Sequence, residues 1–410
     1  SVEKIKDFVL RFLEQKKEYS VWNHCAKSSI MFKDSYLNML ESINLSMLQD
    51  EKKCCYLYYQ NGVVQILNDA INFLSYINVN GFVWENQIIE RDFKASDKIK
   101  NDFQDLVSKV SNDDQTRINA LENTLGYLMH SFKDKADQKA IILNDQEIND
   151  DPNGGSGKSL ILTALSQFKK MVTINGKKFD PNGSDFAYQR VSVDTQILAF
   201  DDVKKNFSFD ALFSIITEGI EVNQKNKAEF VIPFERSPKI VITTNYVING
   251  SGGSHDRRRH ELEFYQYFSA KHSPIQEYGK LLFDEWGESD WIKYDNYMIS
   301  ITQKHLNQGL TAPVSINAET KRFIQQTSKD FFDWIEDGNI QKDVRLYNSN
   351  SVNEFKQENK EFFTINNRTF LSWINKYCEL NGFKMNKGRD NMGRYFEIQT
   401  GNEPVDDTPF

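Results

Sequence analysis

Residues 153–159 read Asn-Gly-Gly-Ser-Gly-Lys-Ser, set between the apolar runs KAIIL and LILTAL. Few folds accommodate such a segment. A glycine-rich turn between a buried strand and a helix aims backbone N–H groups at an anion, and Gly154, Gly155, Ser156 and Gly157 supply that turn. Lys158 is placed to reach the β/γ-phosphates of a nucleotide, and the Ser159 hydroxyl to ligate Mg²⁺. A surface turn that happens to end in Gly-Lys-Ser explains the tail alone, but not the two flanking apolar runs. Pro152 stands where this type of loop usually has its first glycine, so the turn must begin differently here.

Apolar strands alternating with helices continue downstream. KAIILN, TQILAF and SPKIVITTN are strand-like, while GKSLILTALSQF and FDALFSIITEGI are helix-like. This alternation predicts a mostly parallel α/β sheet over residues 126–270. Upstream, Val2, Ile5, Phe8, Val9, Phe12 and Leu13 recur at helical spacing, and a patchy helical pattern runs to about residue 54. The runs YLYYQNGVVQIL and GFVWENQIIERDF are β-prone and punctuated by Asn-Gly pairs, so residues 1–125 read as a helical or mixed domain. Residues 271–345 read as a helical region. Residues 346–402 hold the helix TFLSWINKYCEL and a hairpin ending in RYFEIQ, a winged-helix-like module, and 403–410 read as a tail. The expected fold class is therefore multidomain α/β, with a central P-loop parallel-sheet ATPase core.

A nucleotide site needs a carboxylate for its metal at a neighbouring strand end. The run ILAF ends in Asp201 and Asp202, where ligands bind in open α/β sheets. Asp201 would hold Mg²⁺ through water, and Asp202 would orient or deprotonate the attacking water. Solvated acids at a strand end are the blander account of the pair. The third strand ends in Asn245, which can hydrogen-bond a phosphate or the water, or simply occupy the turn. Beyond it, Arg257 and Arg258 belong to the run HDRRRH, which is either a solvated basic loop or the source of an arginine for a neighbour's nucleotide. Lys225 and Lys227 alternate within a polar segment before VIPFE; it reads as a hairpin tip touching phosphates or as an exposed loop.

Charge limits the partners. The chain has 50 Lys and Arg against 58 Asp and Glu, so contact with nucleic acid must come from a local patch. Its four cysteines form no CxxC pair, which argues against zinc and for reduced thiols. No apolar run spans a bilayer and the N-terminal stretch has no signal-peptide core, so a cytoplasmic protein with no membrane partner is expected.

The order of these segments, with GYLMHSFKDKADQKAIIL before them and RRRHELEF after them, resembles the superfamily 3 helicases. Within that group the poxvirus- and phage-type primase-helicases are the most similar, over roughly residues 125–265. The resemblance implies an AAA+-like ATPase, a ring and typically a hexamer, that uses ATP and Mg²⁺ to translocate on single-stranded DNA in a bacterial or virus-infected cell. Lys158 and Ser159 then match the phosphate loop, Asp201 and Asp202 the metal-holding and water-activating acids, and Asn245 the third-motif sensor. Lys225 and Lys227 fall in the DNA-contacting pore loop, and Arg257 and Arg258 where the arginine finger lies, with the acting residue undecided. A primase or polymerase is a further candidate partner, although no primase domain is evident in these residues. Two other readings remain open: a P-loop ATPase that remodels protein assemblies, and a non-enzymatic replisome scaffold.

Overall fold

The computed structural model describes residues 2–400, apart from 29, 42, 44, 147–154, 181–185, 205–206, 226–227, 247, 249–251, 270 and 315, with backbone alone for 34, 318 and 325. The chain divides into two compact units, Ser1–Leu48 with Asn80–Phe82, and Gln49–Val79 with Val83–Phe410. In the first unit, helices Val2–Gln15 and Tyr19–Lys27 are followed by a single turn of helix, Asp34–Leu37. The helical pattern expected to about residue 54 thus ends early. Asn- and Ser-rich spacing over 38–46 breaks the three-four repeat of apolar residues.

The second unit opens with an antiparallel meander, β1 (Cys54–Tyr59), β2 (Gly62–Leu67) and β3 (Ile71–Leu74). The β-prone run GFVWENQIIERDF adds only an isolated parallel bridge, Ile89 beside Tyr59 of β1, because residues Glu85–Gln87 form a 3-10 turn. After helices Asp102–Val110 and Gln115–Met129 comes the central layer. Its five strands are β4 (Ala140–Asp145), β5 (Met171–Asn175), β6 (Ile197–Val203), β9 (Lys239–Thr244) and β10 (Arg259–Phe264). Between β6 and β9 the chain makes a separate hairpin, β7 (Gly219–Val222) with β8 (Phe230–Pro233). The segment FDALFSIITEGI is therefore only partly helical. Its α-helix is Phe213–Thr217, and Gly219, at φ 120°, turns the chain into β7.

The sheet order is β10-β4-β9-β6-β5, with every neighbouring pair parallel. Side chains alternate across it as the two-residue period requires. Ile141, Leu143, Ile197 and Val241 join the core beneath helices Gln115–Met129, Lys158–Ser166 and Glu288–Gln308. Ala140, Ile142, Leu198, Phe200 and Ile242 face the opposite core, with Phe207, Phe209 and the β7–β8 hairpin. The three strands expected from sequence are present, but β5 and β10 were hidden by their polar residues. In β10, Arg259, His260, Glu261 and Glu263 are all buried, an arrangement that no hydrophobic pattern signals.

The C-terminal part of this unit has its own core, including Phe331, Phe355, Phe370 and Phe396. Strand β11 (Arg345–Tyr347) leads into helices Asn348–Glu358 and Asn367–Asn381. The hairpin β12 (Lys384–Asp390) and β13 (Gly393–Gln399) follows, and the sheet order is β11-β13-β12. All four cysteines are buried and unpaired. Among the described residues, no helix is long and apolar enough to cross a membrane.

Candidate nucleotide site

Strand β4 lies between β9 and β10, so the strand order reverses beside it, and the crevice at the carboxyl ends of the strands opens at such a point. The chain leaves β4 there and returns through Gly155 and Gly157, whose φ angles of 83° and 95° are left-handed. A side chain at either position would strain the turn. Gly157 caps helix Lys158–Ser166, so the unsatisfied N–H groups of the first turn face the crevice. Asn153 and Gly154 lie outside the described residues, as does Pro152.

Lys158 is only 8% exposed. Its Nζ forms an ion pair with the Asp145 carboxylate at the end of β4. It also donates to Ser156 Oγ at 2.9 Å and to Asn245 Oδ1 at 2.8 Å. Burial lowers the Lys158 ammonium below the ordinary lysine range, and Asp145 and Asp202 oppose that shift. The phosphate-loop lysine and the residue ending the third strand, far apart in the chain, thus share a hydrogen bond.

On the next strand, the register between β6 and β9 slips between Phe200 and Val203. The resulting bulge re-aims the two acids. Thr243 Oγ1 donates to Asp201 Oδ1 at 2.6 Å, while accepting from the Asp202 backbone N–H at 2.8 Å. Asp202 has a φ of 56°, uncommon for a residue with a side chain. Its carboxylate turns to Lys177, with Nζ and Oδ2 2.6 Å apart in a largely exposed pair. The two acids therefore differ: Asp201 is held by Thr243 within the sheet, and Asp202 leans outward. Ser159 is exposed on the first helical turn. Among the described residues, no group of three or more His, Cys, Asp or Glu forms a metal cage.

The remaining candidates stand apart from this cluster. Arg257 and Arg258 lie on the short helix Gly253–Arg258 and donate to Gly253 and Ser254 carbonyls at 3.1 and 2.9 Å. Arg258 also stacks over the Phe213 ring at 4.5 Å, whereas Arg257 is exposed. Lys225 is exposed at the tip of the β7–β8 hairpin, and Lys227 lies outside the described residues.

Sequence reading missed several members of the site. Asp145 follows the apolar run directly, and an acid at a strand end before a glycine-rich loop was the available signal. Thr243 carried none. Lys321, from helix Ala318–Gln326, is also buried here; its Nζ donates to the Asp145 carbonyl and lies 3.2 Å from Glu263 Oε1. Glu263 Oε2 accepts the Ile316 and Asn317 N–H groups at 2.7 and 3.0 Å. The C-terminal part of the chain is thereby pinned to β4, the strand that leads into the glycine-rich turn.

No family model matches the chain, and no curated protein matches it. Among solved structures it is similar to an apo form of the NrS-1 C terminal region, with a TM-score of 0.36 and 12% identity, covering 85% of this chain and 97% of that one. A second NrS-1 C terminal region structure gives a TM-score of 0.35 and 14% identity over 80% and 84% of the two chains. A crystal structure of JCV helicase with a bound acetamide compound gives 0.31 and 14% over 48% and 53%. One of these neighbours is thus a helicase by name.

Proposed function

We propose that the chain is an ATP hydrolase coupled to DNA: an ATP-dependent helicase that assembles as a ring, a hexamer in the reading from sequence, and translocates on single-stranded DNA. The supporting observation is the meeting of Lys158 with Asn245 at the carboxyl ends of parallel strands, beside an Asp201 held by Thr243. The left-handed glycines and the exposed helix N–H groups suit a triphosphate. Ser159 and Asp201 would hold Mg²⁺, which when bound neutralises charge on the β- and γ-phosphates.

Lys158 is now balanced by Asp145, Ser156 and Asn245, and an arriving phosphate competes for the same ammonium. Buried as it is, that ammonium acts on phosphate charge with little solvent screening. Asn245, released from Lys158, is free to position the attacking water. Asp202 must leave Lys177 to assist, and an exposed pair of this kind opens at little cost. Arg257 is accessible to a neighbouring subunit's nucleotide, while Arg258 is committed to Phe213. Lys225, with Lys227, would contact the phosphates of the strand without reading its bases.

Steady-state hydrolysis of ATP with Mg²⁺, with and without single-stranded DNA, tests this reading. Hydrolysis should rise with DNA and fall by about 100-fold or more in Lys158→Ala. The double variant Lys225→Ala, Lys227→Ala should keep its basal rate and lose the stimulation. Hydrolysis indifferent to DNA would replace the helicase with an ATPase that remodels protein assemblies. DNA binding without turnover would leave a replisome scaffold.

A further inference from the structure

Four buried charges meet at the carboxyl ends of β4 and β10. Lys158 and Lys321 are 8% and 5% exposed, and Asp145 and Glu263 are 5% and 6% exposed. They pair two by two, Lys158 with Asp145, and Lys321 with Glu263 at 3.2 Å. The two pairs touch, because Lys321 Nζ also donates to the backbone carbonyl of Asp145. Burial lowers both ammoniums below the ordinary lysine range, and the Asp145 charge opposes that shift at each of them. One carboxylate thus acts on two lysines, and among the described residues it forms an ion pair with only one.

This balance holds while the site is empty. A phosphate that takes the Lys158 ammonium leaves the Asp145 carboxylate buried beside a second anion, and a buried charge without a partner is costly. Lys321 is already at hand to receive it. An ammonium has three donors, so Lys321 can exchange the Asp145 carbonyl for the Asp145 carboxylate and keep Glu263. Glu263 itself stays anchored by the Ile316 and Asn317 N–H groups at 2.7 and 3.0 Å. Lys321 belongs to helix Ala318–Gln326, whose Arg322 lies 3.6 Å from Glu261 of β10. Phe323 and Ile324 of the same helix are buried in the C-terminal core. One short helix therefore joins the strand before the glycine-rich turn to the C-terminal module.

We propose that Asp145 and Lys321 are positioning residues that exchange partners with the occupancy of the nucleotide site. Asp145 holds Lys158 while the site is empty and passes to Lys321 when a phosphate arrives, which draws helix Ala318–Gln326 onto β4. Neither residue is placed on the nucleotide itself. The inference rests on the nucleotide-binding part of the reading above, and on neither hydrolysis nor DNA. It gives the two side chains opposite signs. Asp145 stabilises the empty site and so opposes binding, whereas Lys321 stabilises the occupied one and favours it. Each acts through the other.

Equilibrium binding of a fluorescent, non-hydrolysable ATP analogue with Mg²⁺ to the full chain tests this. Asp145→Asn should bind at least about tenfold more tightly than the wild type, because only its empty form has lost a buried ion pair. A residue that merely supported the fold would weaken binding or leave it unchanged. Lys321→Met should bind more weakly when Asp145 is present and without penalty in the Asp145→Asn background, the non-additivity of residues that act through one another. Hydrogen exchange of the wild type guards against misfolded variants: the analogue should slow the amides of helix Ala318–Gln326 by at least about twofold. Unchanged or weaker binding by Asp145→Asn would overturn the exchange, as would helix amides indifferent to the analogue. Absence of binding by the wild type would overturn both the exchange and the nucleotide site. Binding with these signs but without ATP hydrolysis would uphold the exchange and remove the helicase alone.

Discussion

Around the phosphate loop, Lys158 and Lys321 are 8% and 5% exposed, and each meets a carboxylate, Asp145 and Glu263. In the C-terminal cleft, Arg368, Lys387 and Arg394 are exposed and meet none among the described residues. The two sets carry different information. An ammonium cannot remain buried without compensation, so the partners of Lys158 and Lys321 are conditions of folding as well as features of a site. Exposed cations need no partner in water, so one alone means little. A cluster with like charges opposed across a hairpin is met by no ion pair among the described residues.

The largest expected difference between the regions is in their response to acid. His130, His260 and His305 are buried, and burial pushes their imidazoles down to about 4, 4 and 3. No histidine follows residue 305, so the C-terminal module has none. In the unfolded chain these groups take up protons near pH 6.5, and in the folded chain they resist until near pH 4. Their contribution to stability is complete above about 6.5 and is lost as the pH falls toward 4, by up to about 2 kcal/mol per histidine between pH 7 and 5. Hydrogen exchange should therefore show the sheet core opening at pH 5 while the β12–β13 hairpin keeps its protection. Equal loss in both regions would contradict the assignment.

Next in size is Glu263→Ala. It strands the buried Lys321 ammonium and two backbone N–H groups that Glu263 now accepts. Removing one partner from a buried pair costs about 3 to 5 kcal/mol, which urea unfolding would register. A loss below about 1 kcal/mol, the value for an exposed pair, would erase the contrast between the two regions.

The same contrast explains what the sequence disclosed. Gly155, Gly157, Lys158 and Ser159 could be picked out because the proposed phosphate loop is local: its turn, its lysine and its helix are consecutive. The acids at 201 and 202 were legible from the apolar run before them. Their different surroundings were not, because the bulge in β6 and the Thr243 hydroxyl on a neighbouring strand separate them. Lys321 joins Asp145 across 176 residues, and nothing near it in the chain announces the contact. Strand β10 was missed because its buried Glu261 and Glu263 look like surface residues until their partners are known. The C-terminal helix and hairpin were visible from their turn residues, but the opposition of Arg389 and Arg394 is a matter of register, which composition does not convey.

That opposition supports the smallest and most discriminating test. Arg389→Glu places a carboxylate directly across from Arg394 and converts a repulsive cross-strand pair into an attractive one. Such exchanges change stability by about 0.2 to 1 kcal/mol, here in the stabilising direction. Hydrogen exchange of the hairpin amides reads the effect. If Arg389→Glu loosened the hairpin, the two arginines would already be compensated within the chain. The cleft would then resemble the Lys158 site, with its charge accounted for internally.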